Sequence, residues 1–136
     1  MSSRAVNEAV VRVHVIAENE HRMEDTIATL SEDCVFEDVA MGRSYIGLDG
    51  ARAYYKQWWN AFDIMVKGGK QHWSEDGNTM VAETRYTGLH VGEFCGISAT
   101  GRAVNLRLAV VITFRNGKMA GERFYYDARS LALNSA

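Results

Sequence analysis

The sequence predicts an α+β fold, with helices in the first half and a run of antiparallel strands packed against them. Three observations carry this. Apolar residues recur at helical spacing up to Phe62, and polar and apolar residues alternate after Gly69. Asn116-Gly117 then separates two alternating runs, a strong hairpin signal. Helices followed by strands place the chain in the α+β class.

The elements follow in order. From Arg4 to Glu18, Val6, Val10, Val13 and Ala17 form one stripe, with Val11 and Ile16 on its shoulders. After a break at Asn19 to His21, Met23, Ile27 and Leu30 mark a second, short helix. "CVFEDV" (Cys34 to Val39) reads as a strand, and "MGRSYIGLDG" as a loop punctuated by glycines. "ARAYYKQWWNAF" is a third helix, with Ala51, Tyr54, Trp58 and Phe62 on one face and Tyr55 and Trp59 on the adjacent row. "KQHWSEDG" ends in a turn at Asp76-Gly77-Asn78, and "TMVAETRYTGLH" alternates. In "RAVNLRLAVVITFRNGK", Val104, Leu106, Leu108, Val110, Ile112 and Phe114 share a face, and "KMAGERFYYD" is the last strand. A long curved sheet wrapped against helices leaves room for a small-molecule cavity.

A length of 136 residues fits a single domain, residues 1–136. Hydrophobic residues make up 47% and charged residues 24%, a globular composition. A net charge of −2 leaves no electrostatic footprint for nucleic acid or an anionic membrane, so neither is an expected partner. Cys34 and Cys95 form neither a metal spacing nor a disulfide framework, which favours a reduced, cytoplasmic setting. The N-terminal stretch has no uninterrupted apolar core of a signal peptide.

"GLHVGEFCGISATGR" (Gly88 to Arg102) is the most distinctive segment. Its glycines lie between predicted strands, so a dinucleotide fingerprint, which needs a following helix, does not fit. No Gly-Lys-Ser/Thr occurs, and His90 with Cys95 lacks the second pair a zinc site needs. What remains is a strand-to-strand connection whose glycines permit positive φ and close backbone approach. The segment resembles the "GTHxGxFxGIPATGR" signature of SnoaL-like proteins, with Ser98 where the family usually has proline. "FRNGKMAGERFYYD" is similar to that family's "dGKI…D" ending.

The resemblance implies the cone-shaped barrel of the nuclear-transport-factor-2-like superfamily: a curved, mainly antiparallel sheet wrapped against three N-terminal helices. It also implies a cofactor-independent acid/base enzyme, of cyclase or isomerase class, acting on a small hydrophobic carbonyl compound. Asp127 falls on the family's acid/base aspartate, and a carboxylate in that role needs shelter and reach to an acidic C–H. The polar strand positions of anthracycline cyclases fall on Leu108 and Val110, which make an apolar wall instead.

"AVVRVHVIAENEH…FEDVAMG" is similar to the same region of bacterial ketosteroid isomerases, whose base falls on Asp38, oxyanion tyrosine on His14 and supporting tyrosine on Tyr55. The expected catalytic set is therefore Asp127, Asp38 and His14. Tyr55, Trp58, Trp59, Leu108 and Val110 are expected around the substrate. Glu18, Glu20, Glu24 and Asp25 read as a solvated helix face. No metal or cofactor is expected, and the expected partners are a small hydrophobic molecule and a second copy in a homodimer. The alternatives are a non-catalytic binding protein with the same cavity and an epoxide hydrolase-like enzyme; for the latter, Arg107 lacks the adjacent strand aspartate.

Overall fold

In the computed structural model, which describes residues 3–133, α1 (Ser3–Asn19) and α2 (Met23–Ile27) precede β1 (Leu30–Asp38) and β2 (Arg43–Ile46). Helix α3 (Gly47–Phe62) follows, then β3 (Met65–Trp73), β4 (Thr79–Leu89), β5 (Ala103–Arg115), β6 (Lys118–Tyr125) and a short α4 (Arg129–Leu133). The six strands form one open sheet in the order β2-β1-β6-β5-β4-β3. All pairs are antiparallel except β1 with β6. The α+β class stands, with the sheet curved around the helices rather than closed. No described helix is long and apolar enough to cross a membrane.

Strand β5 follows its sequence pattern: Val104, Leu106, Leu108, Val110, Ile112 and Phe114 are all buried. Helix α3 buries Ala51, Tyr54, Tyr55, Trp58, Ala61 and Phe62, joining the two adjacent rows seen in the sequence. Burying faces this rich in aromatic area supplies most of the drive for docking helix on sheet.

Three local expectations are corrected. The loop "MGRSYIGLDG" contains β2 and the start of α3, because Gly42 (φ +65°) turns the chain back so that Arg43 pairs with Asp38. Strand β1 begins at Leu30, where the pairing Leu30↔Met119 extends it beyond the apolar run. Helix α1 is rotated from its apolar stripe: Val13 and Ile16 are exposed, and the buried face is Asn7, Val11, His14, Ala17 and Glu18. Polar residues can occupy that face because each is partnered. Asn7 Nδ2, for example, donates to the Gly77 carbonyl at 2.8 Å.

The glycine-rich segment is a strand-to-strand connection, as expected. At Gly88 the β4 backbone crosses the end of α3 so closely that a Cβ would stand 2.1 Å from the Phe62 carbonyl oxygen. His90 is fully buried, with its backbone N–H donating to Arg102 O at 2.9 Å and Gly101 N–H donating back to His90 O at 2.8 Å. This segment contributes no wall to the cavity between α1 and strands β3 to β6.

Candidate functional site

A cavity of about 360 Å³ lies between α1 and the inner faces of β3 to β6. Its walls are mostly apolar: Val11 and Val15 from α1, Met80 from β4, Val110 and Ile112 from β5, and Met119 from β6. Gly68 and Gly69 border it at a bulge in the edge strand β3, where the register against β4 slips between Lys67 and Lys70. Within this apolar shell stand the side chains of His14, Glu18, Tyr86 and Glu122.

These groups are placed by sequence spacing. His14 and Glu18 are four apart on α1 and therefore share a face. Glu122 points inward because of a bulge in β6: Thr113 pairs with Gly121 but Phe114 pairs with Met119, leaving Ala120 as the extra residue. That extra residue lets Met119, Glu122 and Phe124 all face the core.

The polar atoms form a directed chain. The Thr29 hydroxyl donates to the Thr26 carbonyl at 2.7 Å, so its oxygen accepts from His14 Nδ1–H at 2.7 Å. Tyr55 Oη donates its one proton to Glu122 Oε2 at 2.8 Å, so its oxygen accepts from His14 Nε2–H at 3.0 Å. Glu18 Oε1 is 3.4 Å from the same nitrogen. With Glu122 ionised, this geometry has both His14 ring nitrogens donating, the pattern an imidazolium makes. Burial alone lowers its pKa, but the hydrogen bond and charge of Glu18 and the charge of Glu122 outweigh burial and raise it. For Glu122, burial pushes the pKa up to about 7, the Glu18 charge adding to the rise and His14 and Tyr55 opposing it. Glu122 Oε1 accepts no hydrogen bond from the described residues and is left for whatever enters the cavity. The result is a carboxyl group able to exchange a proton near neutral pH, linked through a tyrosine to a histidine whose pKa is raised.

The expected site residues divide accordingly. His14 lies on the cavity wall, and Val110 lines it. Tyr55 stands behind the wall, bonded to both His14 and Glu122. Trp58 and Trp59 are taken up by core packing instead: Trp58 lies against Phe94 at 4.5 Å between centroids, and Trp59 stacks on His21 at 4.7 Å. Leu108 is buried but not among the cavity's lining residues; Val110 and Ile112, further along β5, take that place.

Asp38 is buried at the end of β1, away from the cavity, and is saturated there. It accepts from Tyr54 Oη and Tyr126 Oη, both at 2.8 Å, and from the Met41 N–H at 2.9 Å. Asp127 is exposed beyond β6 and pairs with Arg129 at 3.3 Å, which with the Arg129 N–H holds its carboxyl below the usual range. Two residues separate it from Phe124, the last inward strand residue, so alternation aims it outward with Tyr125. Asp127→Asn is expected to leave turnover within about twofold of wild type and stability within ~0.5 kcal/mol. Parallel rate and melting measurements check this.

Two charged residues of the cavity wall escape the sequence reading. Glu18 was placed on a solvated face, although Asn7, His14 and Glu18 together mark a polar line along one side of α1. Glu122 was passed over within a strand already identified. Among the described residues, no group of three or more His, Cys, Asp or Glu is arranged to hold a metal ion.

Comparison with known proteins agrees with the fold. A family model described as SnoaL-like polyketide cyclase matches residues 8–133. A candidate polyketide cyclase from Xanthomonas campestris pv. campestris superposes with a TM-score of 0.87 at 18% identity, covering 99% of this chain and 100% of the other. A second, from Pseudomonas putida KT2440, gives 0.85 at 21% identity, covering 100% and 99%. The epoxide hydrolase/cyclase-like enzyme SalBIII, which has a role in pyran ring formation in the polyether salinomycin, gives 0.77 at 15% identity, covering 91% and 92%. No curated protein sequence gives a significant match.

Proposed function

We propose, from the premise that this chain belongs to the SnoaL-like polyketide cyclase family, that its cavity is a cofactor-independent acid/base site for a small, largely apolar carbonyl compound. The observation that carries this reading is Glu122: a buried carboxyl on the cavity wall, with a pKa of about 7 and one oxygen free of protein partners. Glu122 takes the proton from a C–H beside the carbonyl, the C–H electron pair forms the C=C bond of the enolate as the carbonyl π pair moves onto oxygen, and Glu122 later returns the proton. Ring closure or isomerisation then depends on which atom the enolate meets. Tyr55 and His14 hold the ionised carboxylate in place before it takes the proton and again after it has returned it. Glu122 thus takes the role expected of Asp127, and His14 keeps a place in the site.

The apolar walls suit a fused-ring skeleton better than a polyphenol, as Val110 and Ile112 offer no hydrogen bond. Deuterium incorporation into β-tetralone in D₂O, followed by NMR, tests the reading without knowledge of the natural substrate. Acceleration over the uncatalysed rate supports it. Binding of the ketone without any acceleration would leave the cavity as a non-catalytic binding site and overturn the proposal.

A further inference from the structure

Tyr86 lies on β4 opposite Leu106 of β5, with 5% of its surface exposed. It lines the cavity, and its ring packs edge-on against Trp58 with centroids 5.1 Å apart. Three other tyrosines use their hydroxyls inside the protein: Tyr54 and Tyr126 donate to Asp38, and Tyr55 donates to Glu122. Tyr86 makes no hydrogen bond to any described residue. The hydroxyl oxygen is not sealed in the core: with no protein partner, it keeps accessible area where the residue lines the cavity, free to bond whatever enters. Burial and the charges of Glu18 and Glu122 raise its pKa well above the usual value, so the phenol keeps its proton and lies within electrostatic reach of the acidic wall.

We propose that Tyr86 is a ligand-binding residue whose hydroxyl donates to an oxygen of the molecule held in the cavity, which makes the ligand class an apolar ring compound bearing a carbonyl oxygen. The inference deepens the acid/base reading and rests on it. The oxygen that Tyr86 holds is the one that gains charge when the neighbouring C–H loses its proton to Glu122. A donor fixed in a mostly apolar cavity strengthens its bond as that charge grows. Tyr86 therefore both orients the ketone and favours the enolate over it.

The test compares β-tetralone with tetralin, the same skeleton without the oxygen, by calorimetric titration of wild type, Tyr86→Phe and Glu122→Gln. Wild type is expected to prefer the ketone, and Tyr86→Phe to bind it about tenfold more weakly with tetralin affinity unchanged. Because the removed hydroxyl has no protein partner, Tyr86→Phe is expected to melt no lower than wild type. Glu122→Gln should still bind the ketone but lose deuterium exchange. Equal affinity of wild type for the two compounds, or unchanged ketone affinity in Tyr86→Phe, would overturn the role of Tyr86 alone. Failure of both compounds to bind wild type would overturn the reading of the cavity itself.

Discussion

Replacing Glu122 with glutamine is expected to slow deuterium exchange into β-tetralone by about 10²–10⁴-fold, the range for loss of a positioned general base. Glutamine keeps the size of the side chain and an oxygen that accepts from Tyr55 Oη, but it cannot take up a proton. In the wild type, kcat/KM should rise with pH through a midpoint near the Glu122 pKa of about 7, since only the ionised carboxyl can act as base.

The same substitution has a stability signature of definite sign. The folded pKa of Glu122 lies above its ordinary value of 4.5. A carboxyl shifted in that direction stabilises the fold below the unfolded pKa and loses that contribution as pH rises through the folded one. His14, also raised, adds a loss of the same sign as pH rises through its folded pKa. Wild type should therefore lose up to about 3 kcal/mol across the Glu122 window, between roughly pH 4.5 and 7, and Glu122→Gln should lose much less. Denaturant titrations at several pH values measure the difference. A glutamine variant with wild-type exchange rates would remove Glu122 from the chemistry.

His14 was legible through the resemblance to isomerases alone, since the apolar stripe of α1 marks the wrong face, whereas Tyr55 was placed both by that resemblance and by helical spacing beside the buried row of α3. Glu122 was not. Alternation counted forward from Met119 puts it outward, and only the bulge at Ala120 turns it in. A one-residue bulge leaves no mark in a period-two pattern. Glu18 was misread for a related reason: a charged residue near a helix end is usually solvated, and what buries it here is His14 one turn away. The wider fold was more legible than the site, because the β5 pattern and the Asn116-Gly117 turn are local signals that the tertiary structure obeys. Strand β2 is short and half-exposed, held by pairing to β1 rather than by any apolar run of its own. The signature Gly88 to Arg102 identifies the family while lying outside the cavity, since backbone geometry constrains it more tightly than chemistry constrains the walls.

Asp38→Ala is expected to destabilise the protein by about 4 kcal/mol, the largest effect on stability of any substitution considered, through loss of a buried, charge-assisted acceptor. Three donors converge on this carboxylate from separate parts of the chain: Tyr54 on α3, Tyr126 just after β6, and the Met41 N–H in the turn before β2. Alanine leaves those hydroxyls and that N–H facing a dry space. Burial, the larger cause of the raised Tyr54 and Tyr126 pKa values, persists when the Asp38 charge is gone, so neither phenol ionises to relieve the loss. Asn at position 38 keeps an acceptor for Met41 and offers an N–H₂ group to a reoriented tyrosine hydroxyl, so it should cost only about 1–2 kcal/mol. The pair of variants separates structure from chemistry. If Asp38 holds α3, β1 and β6 together, stability falls in the order wild type, Asn, Ala, while the exchange rate of the folded Asn variant stays near wild type. A stable Asp38→Asn protein without exchange activity would instead return Asp38 to the catalytic machinery, and would require the cavity to extend toward Tyr54 and Tyr126 when substrate is bound.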